Sequence, residues 1–254
     1  MTEEQKTKLA MESAKNTNSK KPVQKPQPIT SKLKDNQVEI ANGVTVTLAE
    51  WTGKTKKKFK KEFKYAESME DVDFTKILEI LVYSSVKEDI LFTDKELQYL
   101  LTKLRIMSIS DDFKGNIDCP NCTGSNEIKT SITDSIHFTK SNLPTKYEDF
   151  TFSLVKKTTF DELLENTKEN DIEDITNEKD VEMACRVIKN NKTPKEMLEI
   201  LEDMSLKKLS PLMKEFNKNL STYRLYTKQE CKHCRKDQEF ELEIITGIFE
   251  TLAE

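Results

Sequence analysis

The sequence is poor in the residues on which several kinds of chemistry depend. Its 254 residues include only two histidines and five glycines. So few histidines exclude a metal site built from several imidazoles, and so few glycines leave almost no stretch for a glycine-rich phosphate loop. Apolar runs are short as well: none approaches the roughly 18 consecutive apolar residues of a membrane-spanning helix, and the N-terminus lacks the apolar core of a secretory signal. We therefore expect a soluble intracellular protein.

Charged side chains are abundant. The 41 basic and 45 acidic residues give a formal net charge of −4, and the apolar fraction is 35%, below the roughly 45–50% of an average globular domain. The first 36 residues contain eight lysines, three prolines and almost no large apolar side chain. A segment of this composition cannot bury enough apolar surface to offset its chain entropy. Residues 1–36 are therefore predicted to form a disordered basic arm.

The segment after the arm combines one strand pattern with helix patterns. Asn42 and Gly43 separate two short alternating apolar runs, which predicts a β-hairpin because this dipeptide tolerates positive φ at both turn positions. Further along, Thr93 and Glu96 have the spacing of a capping box at the start of a leucine-rich helix. Residues 37–107 are therefore predicted to form a β-hairpin followed by helices.

The rest of the chain has strand patterns on both sides of a helical middle. Residues 158–220 show helical spacing of apolar residues and a second capping box at Thr193 and Glu196. Strand patterns precede and follow this segment, and each of the two strand regions contains a CxxC motif. We therefore predict an α+β fold in which a zinc-ribbon-like β-module, residues 108–157 plus 221–254, is interrupted by a helical insertion at 158–220.

The two CxxC motifs supply four of the five cysteines. Two thiolates of one CxxC turn can bind the same ion, so two such turns provide the four ligands of a tetrahedral zinc site. The 108 residues between the motifs exceed the roughly 15–20 of a simple zinc ribbon, and the helical insertion accounts for the difference. We predict one structural Zn²⁺ per chain, with the ligands Cys119, Cys122, Cys231 and Cys234.

Other interpretations of the cysteines fit the sequence less well. A thioredoxin-like redox motif would leave the second pair unexplained, and haem attachment is excluded because neither pair is followed by histidine. The pairs could also be ordinary core or surface cysteines, and His233 could replace one thiolate. Cys185 belongs to an apolar helical stripe and is expected in the core. Because four thiolates leave no open position on zinc, and His137 and His233 lack an evident acid–base partner, we predict no enzymatic activity.

Two segments of opposite charge are candidates for surfaces that contact other molecules. Residues 54–64 contain seven lysines and one glutamate, whereas residues 161–182 contain ten acids and two lysines. The basic run is typical of a solvated helix face with inward aromatic residues; the alternatives are a phosphate-binding patch and a docking surface steered by charge. A C-terminal apolar element either docks on a partner or completes the core. The predicted partner-binding residues are Lys57, Lys58, Lys60, Lys61, Ile248 and Phe249.

The order of these features resembles a known family. The segment DKELQYLLTKLRIMSISDDFKGNIDCPNC (94–122) and the segment CKHCRKDQEFELEIITGIFETL (231–252) are similar to the baseplate hub family of T-even-like contractile-tailed bacteriophages, which includes hub subunits and the hub assembly catalyst. The resemblance covers roughly residues 75–250. It departs from the family pattern at Gly124, at Arg235 and at the end, where paired phenylalanines are usual. The matching positions are Leu100, Leu101, Leu104, Arg105, Ser108 and the four CxxC cysteines.

The resemblance implies a structural or assembly role in the central hub of a phage baseplate. The partners would be other hub proteins, and the protein would act in the host cytoplasm during assembly. Its retention in the virion and its self-association both stay open. The alternative function is that of a zinc-ribbon nucleic-acid-binding factor of the transcription type, because ribbons recur in such proteins and the basic run could meet phosphates.

Overall fold

The computed structural model describes residues 35–62, 78–170, 178–189 and 192–253, and its fold is α+β, as predicted. Apart from Asp35 and Asn36, the predicted arm lies outside the described residues. The strands are β1 (Gln37–Ala41), β2 (Val44–Thr47), β3 (Asp112–Asp118), β4 (Ser125–Ser131), β5 (Ile136–Thr139), β6 (Thr145–Tyr147), β7 (Phe150–Phe152), β8 (Val187–Lys189), β9 (Thr222–Glu230) and β10 (Asp237–Glu241). The helices are α1 (Gly53–Glu62), α2 (Asp94–Ser108), α3 (Ile132–Ser135), α4 (Lys157–Asn170), α5 (Glu178–Arg186), α6 (Pro194–Glu202), α7 (Leu206–Lys218) and α8 (Ile245–Ala253), with a π-helical segment at Glu79–Tyr83.

Strands β1 and β2 form the hairpin that the Asn-Gly dipeptide predicts. Gly43 has a φ of 75°, whereas Asn42, contrary to the expectation for this dipeptide, does not have a positive φ. The register of the two strands shifts between Glu39 and Ala41, which marks a β-bulge. A bulge adds local twist to a strand pair. The turn therefore connects the strands with one left-handed residue, Gly43, in place of the two that this dipeptide predicts.

Both predicted capping boxes are present. Thr93 accepts a hydrogen bond from the Glu96 backbone N–H at 3.3 Å, and the Glu96 carboxylate accepts one from the Thr93 N–H at 2.9 Å. Thr193 and Glu196 make the same two bonds at the start of α6. These bonds satisfy N–H groups that a helix start otherwise leaves without partners. The capping box of α2 opens a helix whose leucines are buried, as predicted: Leu97, Leu100, Leu101 and Leu104.

One hydrophobic core joins the N-terminal hairpin, helix α2, the strand pairs β3–β4 and β9–β10, and helix α8. Helix α2 is bonded to its surroundings at several points. Thr102 lies 2.6 Å from the hydroxyl of Tyr223 in β9. Arg105 donates to the carbonyls of Ser110 and Asp112, which fixes the chain as it enters β3. The position of the first CxxC hairpin is therefore set directly from α2.

A second core lies in the insertion, and its boundary differs from the predicted division at residue 157. Strand β7 pairs with β6 and also with β8, so β8, which lies in the segment predicted as helical, joins a sheet with two strands that precede residue 158. Phe150 and Phe152, which precede residue 158, pack in the same core as helices α5, α6 and α7. Helix α5 ends at Arg186, and Val187 and Ile188 continue into β8. Neighbouring side chains of a strand point to opposite faces, so Val187 is buried whereas Ile188 is 39% exposed.

Arg186 connects the insertion to the segment before α2. Its side chain is fully buried, and it donates to the Glu182 carboxylate and to the carbonyl of Leu91, each at 2.8 Å. The adjacent Cys185 is 3% exposed in a small core, as expected, and burial raises the pKa of its thiol to about 11. Within the described residues, every helix is too short or too polar to cross a lipid bilayer.

Candidate metal centre

The four cysteines of the CxxC motifs lie in the turns of two β-hairpins. Cys119 and Cys122 lie in the turn between β3 and β4, and Cys231 and Cys234 lie in the turn between β9 and β10. The two hairpins belong to different sheets. Although 108 residues separate the motifs in sequence, the fold brings the two turns against each other.

The two turns have the same internal hydrogen bonds. In the first turn, the Cys119 N–H donates to the Gly124 carbonyl at 3.0 Å, and the Thr123 N–H donates to the Cys119 carbonyl at 2.9 Å. In the second turn, Cys231 bonds to Lys236 and Arg235 bonds to Cys231 at the corresponding positions, both at 3.0 Å. The repeated pattern presents each pair of thiols in the same geometry.

The sulfur atoms form one compact cluster. All four lie within 4.8 Å of one another; Cys119 Sγ is 3.9 Å from Cys234 Sγ, and Cys122 Sγ is 3.7 Å from Cys231 Sγ. All five cysteines of the chain are free thiols. Four sulfurs bound tetrahedrally to zinc at about 2.3 Å would lie about 3.8 Å apart. The cluster therefore has the size that a four-thiolate metal site requires.

Backbone N–H groups point at the sulfurs. The Asn121 N–H lies 3.4 Å from Cys119 Sγ, and the His233 N–H lies 3.4 Å from Cys231 Sγ. The N–H groups of Cys234 and His233 lower the pKa of the Cys231 thiol to about 6, outweighing the opposite effect of burial. Such donors stabilise thiolate, which is the form that binds a metal.

Asn126 is a site residue that the sequence pattern did not reveal. Its side chain is fully buried and donates to the Gly124 carbonyl at 2.7 Å and to Cys231 Sγ at 3.5 Å. Its carbonyl oxygen accepts from the Lys232 N–H at 2.9 Å. One side chain of the first hairpin thus holds the turn of the second. A single asparagine in a strand carries no spacing signal, so only the structure could identify it.

His233 lies outside the four-thiol cluster. Its Nε2 donates to the Ser125 carbonyl at 2.8 Å, and the four-residue cluster of possible ligands contains only the cysteines. The imidazole packs so closely on Gly124 that a Cβ added there would lie 2.5 Å from the ring. Gly124 is therefore used for this close approach, whereas the left-handed residues of the two turns are Thr123 and Arg235, each with a φ of 57°.

The family model described as T4 bacteriophage base plate protein matches residues 25–250 of the chain. The chain belongs to this family. No curated protein and no solved structure matches it. The match includes both cysteine hairpins and the insertion of this baseplate protein, and it begins further towards the N-terminus than the resemblance read from the sequence.

The predicted lysine surface of the baseplate protein lies on α1. The side chains of Lys57, Lys58, Lys60 and Lys61 are exposed, and Phe59 between them is 1% exposed. Trp51 is partly buried, and its indole N–H donates to the Leu81 carbonyl at 3.0 Å. This arrangement matches a solvated basic face with inward aromatic residues. Phe63 and Tyr65 lie outside the described residues.

The predicted C-terminal surface of the baseplate protein needs a correction. Ile248 is fully buried in the first core, together with Leu252 of the same helix. An amphipathic last helix buries its apolar stripe when a core face is available, and α8 packs that stripe on the protein itself. Ile248 is therefore a core residue and does not face a partner. The side chain of Phe249 lies outside the described part of the chain.

Proposed function

We propose that this baseplate protein is a structural or assembly component of the baseplate hub, acts through contacts with other hub proteins, and has no enzymatic activity. The family match over residues 25–250 is the observation that carries this proposal. The family match supports a place in the baseplate. The hub role is supported by the resemblance to hub proteins of the segment that contains Arg105 and Ser108. In the structure Arg105 fixes the entry to β3, and Ser108 accepts a hydrogen bond from the Trp51 N–H at 2.9 Å.

We further propose that the four-cysteine cluster holds one structural Zn²⁺. The donor set supports zinc, because thiolates are soft ligands and the S–S distances fit a tetrahedral ion. When bound, the ion supplies a crosslink between the two hairpins. Residues of the chain stabilise the thiolates and position the turns. N–H groups that lie 3.4 Å from two of the sulfurs offset the thiolate charge, and Asn126 orients the second turn.

The absence of an enzymatic step is part of the proposal. Four thiolates fill a tetrahedral coordination shell and leave no position for a reacting water. His233 uses its Nε2 proton in a bond to the Ser125 carbonyl, and His137 stacks on Tyr226 with ring centroids 4.0 Å apart. His233 is thus held by a structural hydrogen bond, and the ring of His137 packs against an aromatic side chain.

The exposed lysines of α1 are the proposed contact surface for an acidic partner protein. Lys57, Lys58, Lys60 and Lys61 are exposed on this one short helix, and a concentrated positive charge accelerates association with an acidic surface. The nucleic-acid alternative requires aromatic residues that are free to stack on bases. Phe59 is buried and Trp51 is bonded to Leu81, so these two cannot serve, and a protein partner fits the surface better.

The test is co-purification of the tagged full-length protein from phage-infected cells, with mass spectrometry of lysate and purified virions. We expect hub proteins to co-purify with the wild type and to be lost on changing Lys57, Lys58, Lys60 and Lys61 to glutamate. The matched control reverses four exposed, dispersed lysines: Lys87, Lys146, Lys195 and Lys214. Co-purification of partners from outside the hub would contradict the hub assignment, and retention of DNA or RNA at about 150 mM salt would favour the alternative function.

A further inference from the structure

Strand β3 has one edge paired with β4 and one edge that pairs with no described strand. The bonds that flank the pair show which residues face β4. The Cys119 N–H donates to the Gly124 carbonyl, and the Ile132 N–H donates to the Asp111 carbonyl. Bonded and non-bonded residues alternate along an antiparallel strand. The even-numbered residues between 111 and 119 therefore turn their backbone N–H and C=O groups to the other edge.

Arg105 lies on this outer edge. It donates to the carbonyl of Asp112 at 3.1 Å, as the alternation predicts for an even-numbered residue. The arginine is only 9% exposed, and its Nε has no hydrogen-bond partner. A buried donor without a partner is costly. In the described parts of the chain, the outward backbone groups of Lys114, Asn116 and Asp118 bond to no other segment.

A cavity of about 500 Å³ adjoins this edge, and we call it the β3 groove. Residues 113–118 and Arg105 line one side, and the connection from β10 into α8 lines the other. Its volume lies within the range of roughly 300–1,000 Å³ that is usual for binding pockets. The groove thus places unpaired strand backbone and an unpartnered buried donor against one open space. The lining residues of the β10–α8 connection are Glu241, Glu243, Ile244 and Gly247.

The unpaired charge of the groove is acidic. Of its two basic residues, Arg105 is buried and bonded to carbonyls, and Lys114 lies 4.0 Å from a glutamate of β4. Of its three acids, Glu241 pairs with an arginine of β9 at 3.2 Å. Asp118 and Glu243 are exposed, and neither forms an ion pair with another described residue. A basic ligand is therefore the one that the groove complements.

We propose that the β3 groove binds an extended, lysine- or arginine-bearing segment of a partner protein, which adds to β3 as a further strand. Main-chain hydrogen bonds supply affinity in this mode of recognition, and side chains supply selectivity. The added backbone pairs with the outward groups of Lys114, Asn116 and Asp118, and one of its carbonyls accepts from Arg105 Nε. Because residues 241–247 bound the cavity opposite β3, a single strand fits it better than the hairpin of a second copy.

The inference deepens the proposed function by giving the chemistry of a partner segment, and it can be tested without any hub protein. The experiment is fluorescence anisotropy of the purified full-length protein with a labelled peptide of about nine residues, alternating valine and lysine and blocked at both ends. At about 150 mM salt we expect a Kd on the order of 10–100 µM, because a short flexible peptide loses entropy when it binds.

Two control peptides separate strand addition from simple charge attraction. A lysine–proline peptide of the same length and charge lacks every second amide N–H, so it should bind at least about tenfold more weakly. A valine–glutamate peptide retains the backbone donors but carries the wrong charge for Asp118 and Glu243. It should also bind at least about tenfold more weakly.

Variants of the protein locate the binding site. Gly247→Leu should weaken binding at least about tenfold by filling the groove. No atom lies within 4 Å of a Cβ added there, and leucine favours a helix over glycine, so the melting temperature should not fall. Glu243→Lys should weaken binding about three- to tenfold. Its matched control is Glu199→Lys, which reverses an exposed acid of α6 and should leave the Kd unchanged.

The proposal is overturned if the wild type binds no valine–lysine peptide at about 1 mM, or if the lysine–proline peptide binds equally well. It is also overturned if a folded Gly247→Leu variant binds as tightly as the wild type. Dimerisation that Gly247→Leu abolishes, in a protein that binds no peptide, would make a second copy the occupant and would overturn it too. Each result is compatible with co-purification of hub proteins, so a failure here is distinct from a failure of the hub role.

Discussion

Asn126, in the first cysteine hairpin, donates from its side-chain amide to the sulfur of Cys231, in the second hairpin, at 3.5 Å. The same amide holds the Gly124 carbonyl, and its oxygen holds the Lys232 N–H. The two turns are thus connected by a buried side chain as well as by the sulfur cluster. This connection orients the thiols before a metal binds them.

Asn126→Asp is expected to weaken zinc binding by about 10–100-fold, the usual effect of removing a residue that positions a metal ligand. The carboxylate keeps the shape of the side chain, but it cannot donate to the sulfur and it repels a thiolate. Competition with a chromophoric chelator measures the affinity. Asn121→Ala is the control, because Asn121 reaches Cys119 through its backbone N–H. Equal affinities for the two variants would contradict the assigned role of Asn126.

Cys119→Ser is expected to abolish the stoichiometric zinc and the cooperative melting of the region around the two hairpins. The metal site closes a loop of more than a hundred residues, and binding free energy at such a site is folding free energy. Elemental analysis of protein purified without chelator measures the zinc content. Cys185→Ser removes a thiol from the separate small core and should retain one zinc per chain. A metal-free wild type would refute the zinc assignment.

Gly124→Ala is expected to destabilise the protein by about 1–3 kcal/mol, as overpacking usually does. The new Cβ would lie 2.5 Å from the His233 ring. Thermal denaturation of a double-mutant cycle with His233→Gly measures the coupling, because alanine would keep the His233 Cβ, which would lie 2.9 Å from the added Cβ. In the His233→Gly background the Gly124 substitution should cost much less. Additive effects of the two changes would show that the ring is not the cause.

Thr123→Gly and Arg235→Gly are each expected to raise stability by about 0.5–1 kcal/mol. Both residues have a φ of 57°, and glycine adopts this region without the steric cost that a side chain imposes. The gain is reduced by the greater entropy of glycine in the unfolded chain. Chemical denaturation of the zinc-bound protein measures it. A glycine at Thr133, where the backbone needs no left-handed residue, should bring no gain.

Ile248→Asp is expected to be insoluble or to melt far below the wild type, because an unpaired charge would enter the core. Thermal melting or recovery of soluble protein provides the measurement. Thr251→Asp places the same charge on an exposed position of the same helix and should remain folded. A folded Ile248→Asp variant that fails only in baseplate assembly would restore the docking interpretation of α8.

Much of the local structure could be predicted from the sequence because its causes are local. The Asn42-Gly43 hairpin and the capping boxes of Thr93 and Thr193 depend on residues within a few positions of one another. The two CxxC pairs predicted a metal site for a similar reason, because the two cysteines of each pair lie in one turn. The lysine face of α1 followed from composition and helical spacing. In each of these cases the interacting groups are neighbours in the chain.

What required the tertiary structure were the contacts between distant segments. Asn126 contacts Cys231, which lies more than a hundred residues later in the sequence. Strand β8 pairs with β7, although two helices lie between the two strands in the sequence. Ile248 belongs to the apolar stripe of α8. The sequence pattern of such a stripe is the same whether the stripe docks on a partner or completes the protein's own core. The sequence by itself determined the hairpins, caps and thiol pairs; the fold decided which surfaces remain outside, because burial depends on what packs opposite.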